Sequence, residues 1–197
     1  MRRFARNVVA SGISIVVSAA CQLSMQVLLV RLLGIEQYGV YVAAVAVVSF
    51  AELAFLNRAA DFAMSSLSRA WFQGRFDQVR MTVATLERQD VRWTVRVFLL
   101  LALAVLVFSK LARLEAFILV PLALSIPAQA GYGVSKTLLI ISGSIQIQAR
   151  FETAFSLALL TLGSIGALTF GVSGVVAAVV CANAAKTLLA RKLARAA

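Results

Sequence analysis

The chain has 197 residues, 61% of them hydrophobic and 14% charged, with a mean hydropathy of +0.93 and a formal net charge of +11. Soluble domains carry about 45–50% apolar and about 25% charged residues, so this composition excludes an ordinary soluble domain and reads as a polytopic membrane protein. No histidine is present, which excludes His-based triads, acid–base pairs and metal sites.

Several apolar runs reach the roughly 18–20 residues that cross a bilayer as helix. The alternating segments of about ten residues that build a membrane barrel are absent, so the expected class is all-α, a membrane helical bundle of about six transmembrane helices. The first expected span covers 7–30 and stays as an anchor, because its apolar part is too long for a cleaved signal peptide. Ser11, Ser14, Ser18, Gln22 and Gln26 recur every three or four residues, which sets them on one helical face. Two readings stay open for that face: contact with a neighbouring helix, or the wall of an aqueous cavity.

Arg31 to Gly39, Arg-Leu-Leu-Gly-Ile-Glu-Gln-Tyr-Gly, separates two charge-free runs. Gly34 can take the left-handed conformation that closes a helix, with Arg31 near that helix's negative end and Glu36 near the positive end of the next. The expectation is a membrane hairpin. Its second arm is the span 39–56, where Tyr41, Ser49 and Glu52 lie close to one stripe. A carboxylate inside a span costs on the order of 2.5–3.5 kcal/mol on the insertion scale, so Glu52 is a candidate proton or cation site. Pairing with Arg58 is the structural alternative.

Residues 57–92 form an expected cytoplasmic amphipathic connection, with Met64, Leu67, Trp71, Phe76, Val79, Val83 and Leu86 at helical spacing and Gly74 as a break. The third span is 93–109, with Trp93 and Arg96 at one end and Lys110 at the other. The fourth is 117–141. Pro121 and Pro127 bend it, and Ser125, Gln129, Tyr132 and Lys136 share one face. Lys136 either snorkels to the headgroups or binds an anionic group. The segment from Gly143 to Glu152 is expected as a cytoplasmic turn, followed by spans 153–170 and 172–189 around the tight Gly171-Val-Ser-Gly174. Cys21 and Cys181 stand singly in apolar runs and are expected to pack as small residues. With the amino end in the cytoplasm, sixteen of the nineteen Lys and Arg fall on the cytoplasmic side, which orients both termini inward.

The same count explains the basic balance without nucleic acid, for which no motif is present. No Walker loop and no Gly-x-Gly-x-x-Gly appears, so no nucleotide or other cofactor is expected. The carboxylates do not cluster, and a membrane-embedded enzyme would need a nucleophile or base with partners that this sequence lacks.

An apolar helix, then Arg31-Leu-Leu-Gly-Ile-Glu-Gln-Tyr-Gly39, then a second apolar helix resembles the start of the polysaccharide exporters of O-antigen and teichoic acid type. These are lipid-linked oligosaccharide flippases of the multidrug/oligosaccharidyl-lipid/polysaccharide superfamily. Phe4-Ala-Arg-Asn7 and Gly74-Arg-Phe-Asp77 are similar to that family as well, while the acidic residue and glycine usual at the end of the second span are replaced by an early Glu52 and a late Asp61. The resemblance implies a bacterial inner-membrane protein whose cargo is a glycan on a polyprenyl pyrophosphate, moved from inner to outer leaflet for lipopolysaccharide or similar polymers. Gln22, Gln26 and Gln129 would then serve the sugar, Lys136, Arg31 and Arg58 the pyrophosphate, and Glu52 a coupling ion. Family members carry two six-helix lobes and this chain has length for one, so a homodimer or a second lobe elsewhere is expected to complete it. The rival expectations are a drug or cation antiporter of the same superfamily and a truncated scaffold that transports nothing.

Overall fold

A computed structural model describes residues 2–55, 57–112 and 116–196, with side chains described for 9–53, 63–107 and 117–194. Among the described residues every regular element is helical: α1 (Arg2–Phe55), α2 (Asn57–Phe72), α3 (Phe76–Ala112), α4 (Ala116–Ala123), α5 (Ser125–Ala128), α6 (Tyr132–Ile141) and α7 (Ile145–Ala196). Three stretches are long and apolar enough to cross a membrane, Val9–Leu53, Phe117–Ile141 and Ile145–Ala194. That is the number that length and composition alone identify, where the sequence leads one to expect about six.

α1 and α7 are each far longer than one crossing. A straight helix of 54 residues would extend roughly 80 Å, far more than a bilayer needs. Instead each helix folds back at a glycine. Gly34 has φ 79° and ψ 165°, and Gly171 has φ 61° and ψ −140°. This is backbone space that glycine enters freely and other residues enter only under strain. Contacts across each bend show the reversal. Gln22 and Glu52 line one cavity although a straight α1 would hold them roughly 45 Å apart. Lys186 meets Glu152 at 2.9 Å, where a straight α7 would separate them by roughly 50 Å. The two bends lie side by side, since a Cβ on Gly171 would stand 3.8 Å from Gln37 Oε1.

Just below its bend the two legs of α7 touch backbone to backbone. A Cβ on Gly166 would fall 2.5 Å from the Gly174 carbonyl oxygen, so this approach requires glycine on both legs. The first legs of α1 and α7 run parallel: Ser14 Oγ donates to the Ala149 carbonyl at 2.9 Å, and further up Ser156 Oγ donates to Ser18 Oγ at 2.9 Å. Higher still, Gly163 leaves room for Met25, whose Cε would lie 2.5 Å from an added Cβ. Leu29, Val48, Leu119, Ile126 and Val175 are the centre of the main apolar core between these legs and α4–α5.

A second core joins α2, α3 and α6 through Leu67, Val79, Leu86 and Val134. α3 is one continuous helix from Phe76 to Ala112 with no break between 92 and 93, and its first turns pack chiefly on α2, which packs in turn on α6. Of the expected stripe, Met64 and Phe76 are exposed. Gly74 does break the segment, with φ 70°. Cys21 is buried as expected, whereas Cys181 is exposed. The Phe4–Asn7 motif, Asp61, Lys110 and Arg113 lie outside the described side chains.

The α4–α5–α6 segment is broken twice. Pro121 and Pro127 lie in its first two pieces, and Gly131, at φ 78°, starts the third. The backbone left unpaired within the helix at that break is held by side chains from other helices: Asp90 Oδ2 accepts the Gly131 N–H at 2.6 Å, and Arg191 Nη2 donates to the Ala130 carbonyl at 2.8 Å. Arg191 Nε also lies 3.7 Å from Glu87, so one arginine ties the end of α7 to both α3 and α6.

Candidate functional site

The bend at Gly34 turns two sequence-distant polar faces toward each other. Gln22 and Gln26 on the first leg of α1 meet Tyr41, Ser49 and Glu52 on the second. The broken helix closes the group, with Ser125 from α5 and Gln129 from the turn after it. Together they line a cavity of about 430 Å³. Gln129 Nε2 donates to Glu52 Oε1 at 3.3 Å, so the carboxylate has a neutral amide partner. Gln22 and Gln26 have no hydrogen-bond partner among the described residues, and both are exposed to the cavity side.

A second cavity of about 500 Å³ lies along the same face of α1, toward the amino end. Ser11, Ser14, Ser18 and Gln22 form one wall, and Lys136, Gln148 and Glu152 the other. Gln22 belongs to both cavities, so the two adjoin there. The seam is therefore serine-lined at one end and amide-lined at the other.

The strongest electrostatic feature borders the second cavity. Glu152 accepts from Lys186 at 2.9 Å, lies 3.6 Å from Lys136 Nζ, and accepts a short hydrogen bond from the Tyr132 hydroxyl. The Lys186 ammonium also sits over the rings of Tyr132, at 4.3 Å, and Phe155, at 4.5 Å. Two ammonium groups share one carboxylate, which leaves one positive charge in excess. Lys136 carries it toward the cavity, being 43% exposed where Lys186 is 16% exposed.

Of the seven candidate residues, Gln22, Gln26, Glu52 and Gln129 come together in the first cavity. Lys136 lines the second and is paired with Glu152. Arg31 is exposed beside the α1 bend, roughly 20 Å along the helix from Ser18, and lines neither cavity. Arg58 lies outside the described side chains. The sequence places Glu152 at the end of an expected turn. The structure corrects that: α7 begins at Ile145, so Glu152 is helical and meets Lys186 on the second leg. A usable signal existed, because Glu152 and Lys186 stand 19 and 15 residues on either side of Gly171, and a hairpin there puts them on facing legs about one turn apart in height.

Comparison with protein-family models, with curated proteins and with solved structures finds no match to this chain. Among the described residues no group of three His, Cys, Asp or Glu is placed to hold a metal ion. Chemically, the first cavity offers amides, hydroxyls and one carboxylate, which suits a hydroxyl-rich or cationic guest. The second offers hydroxyls, the amides of Gln22 and Gln148, and the Lys136 ammonium paired with the Glu152 carboxylate, which suits a polar guest.

Proposed function

We propose that this chain is one six-helix lobe of a lipid-linked oligosaccharide flippase in a bacterial inner membrane. The six spans are the two legs of α1, the apolar part of α3, the broken α4–α6 segment and the two legs of α7, with both termini in the cytoplasm. The observation that carries this reading is the first cavity. Gln22, Gln26, Glu52 and Gln129 meet there although they come from three separate apolar segments of the chain, around about 430 Å³ of space. Unpaired amides inside an apolar bundle are costly unless they face water or a polar guest.

In this reading the sugar hydroxyls exchange hydrogen bonds with Gln22, Gln26 and Gln129, and the pyrophosphate is met by Lys136 in the adjoining cavity. Arg31, at the opposite end, meets the same group at a different stage of its passage. The lipid tail stays in the bilayer. A second copy of this chain or a second lobe closes the seam, and rocking of the two lobes supplies alternating access. A drug or cation antiporter is a second reading, favoured by the placement of Glu52 at the cavity wall.

The test is genetic and chemical. Deletion is expected to remove surface polysaccharide, and a Gln22→Leu/Gln26→Leu/Gln129→Leu variant, inserted at normal level, is expected not to restore it. Full restoration by that variant sinks the flippase reading. Altered toxin sensitivity with intact polysaccharide would favour the antiporter, and no phenotype would favour a scaffold.

A further inference from the structure

The two adjoining cavities differ in charge, and the difference bears on which sugars the first can take. No lysine or arginine lines the first cavity among the described residues, and its single charged group is Glu52. The lysines of the seam belong to the second. Lys136 lines that cavity, and the Lys186 ammonium lies on Glu152 and over the rings of Tyr132 and Phe155. Lys186 follows the first cavity's Asn183 by only three residues, yet its charge is spent on Glu152. Glu52 in turn has the neutral Gln129 amide at 3.3 Å and no cation.

Asn183 adds a binding group that no polar stripe announces. It stands on the second leg of α7, one turn after Val179, and both residues line the first cavity. Its side chain, like those of Gln22 and Gln26, has no hydrogen-bond partner among the described residues. Carboxamides donate and accept, as sugar hydroxyls do, so three unpaired ones match a hydroxyl-rich ring. A sugar carboxylate is a different guest. It would bring a negative charge into a space that already holds one and offers no cation, and an unpaired charge away from bulk water is costly. Protonation of Glu52 would remove the repulsion but supply no countercharge. A sugar amine meets the opposite sign at the same wall.

Resting on the reading of this cavity as the sugar site, we infer that it admits neutral or amine-bearing sugar units and excludes carboxylate-bearing ones. Glu52 sets that choice, and Asn183 is a further sugar-binding group. The test uses the full chain in nanodiscs, with Cys21→Ala and Cys181→Ala and with Val42→Cys as reporter, since Val42 lines the cavity and is 42% exposed. Labelling of the reporter by an uncharged maleimide is followed against methyl β-D-glucoside, methyl β-D-glucosaminide and methyl β-D-glucuronide, with ionic strength held constant by KCl. The glucoside is expected to slow labelling, and the glucosaminide to do so at equal or lower concentration. The glucuronide should need roughly 100-fold more, the factor that two like charges about 6 Å apart give at an effective dielectric constant of about 20. Glu52→Gln is expected to narrow that gap. So is Gln26→Lys, which puts a cation at an exposed position of the cavity wall and leaves Glu52 in place. Asn183→Leu should raise the concentration of glucoside required without changing the ratio. Equal protection by glucoside and glucuronide overturns the inference while the sugar site stands, and so does a glucosaminide weaker than the glucoside. A gap unchanged in both the Glu52 and the Gln26 variants overturns the role of Glu52, and unchanged protection in Asn183→Leu overturns that of Asn183. Protection by none of the three means that sugar does not enter the cavity, and the flippase reading falls together with the inference.

Discussion

Replacing Glu152 by Gln tests whether the ionic cluster of α6 and α7 holds the hairpin closed. The change keeps side-chain shape and keeps an oxygen to accept from Tyr132, so the perturbation is electrical. It leaves Lys186, whose side chain is 16% exposed, with no carboxylate. Removing one member of a buried pair costs about 3–5 kcal/mol, because the remaining charge stays desolvated. Here the loss is smaller. The ammonium keeps the Tyr132 and Phe155 rings at 4.3 and 4.5 Å, and such contacts hold back about 0.5–2 kcal/mol. The more exposed Lys136 pair adds about 0–1 kcal/mol. The expected net loss is about 3 kcal/mol, or roughly 6–12 °C in Tm for a chain of this size. The informative comparison is the double variant E152Q/K186M, which removes the carboxylate together with the buried ammonium and leaves unpaired only Lys136, whose side chain is 43% exposed. Thermal unfolding in one detergent should rank the wild type first, the double variant second and E152Q last. A double variant no more stable than E152Q would refute the reasoning, because an unpaired ammonium would then not be the source of the loss.

Further outcomes follow from close packing and from unpaired backbone. Gly174→Ala should lose about 1–3 kcal/mol by chemical unfolding, since its Cβ collides with the Gly166 backbone of the facing leg. Gly12→Ala, with nothing within 4 Å, should gain about 0.5–1 kcal/mol in the same assay. Asp90→Ala strips the Gly131 N–H of its acceptor and should lose about 1.5–3 kcal/mol, read as faster hydrogen exchange at Gly131 together with a lower Tm. In a chain with both native cysteines replaced, a membrane-impermeant thiol reagent should label cysteines at positions 22, 26 and 129 in proteoliposomes. A cysteine at position 14 should stay unlabelled, because Ser14 is buried and bonded to α7.

The sequence announces its helices and bends more clearly than its partners. Charge-free runs and two glycine turns are local signals, and both turns lie where the glycines placed them. The polar faces were legible too, because a spacing of three or four is a property of one helix. Their convergence was not, since it depends on which legs become neighbours. Glu152 shows the cost of that. Beside a polar segment running from Gly143, its charge reads as loop, and only the fold-back of α7 onto Lys186 makes it an interior residue. The continuity of α3 was hidden for the opposite reason. Its first turns are rich in charge and look like a surface segment, yet Val79 and Leu86 seat it in one apolar cluster with Ala63 and Leu67 of α2 and Val134 of α6.

The amino-terminal polar face answers a question that its spacing leaves open. Serines and glutamines repeat there with one period, yet they do different things. Ser14 and Ser18 bond across to the first leg of α7, at 2.9 Å in each case. A hydroxyl on one carbon reaches a neighbour only where the backbones are close, and Ala149 and Ser156 permit that. Gln22 and Gln26 stand one and two turns higher, opposite the second leg of α1, where the space is a cavity and not a seam of contact. The serines thus bond across to α7 while also lining the second cavity, the glutamines only line open space, and the change from serine to glutamine marks where the legs part. The amide's extra length would be wasted in a tight interface and is what an open one requires.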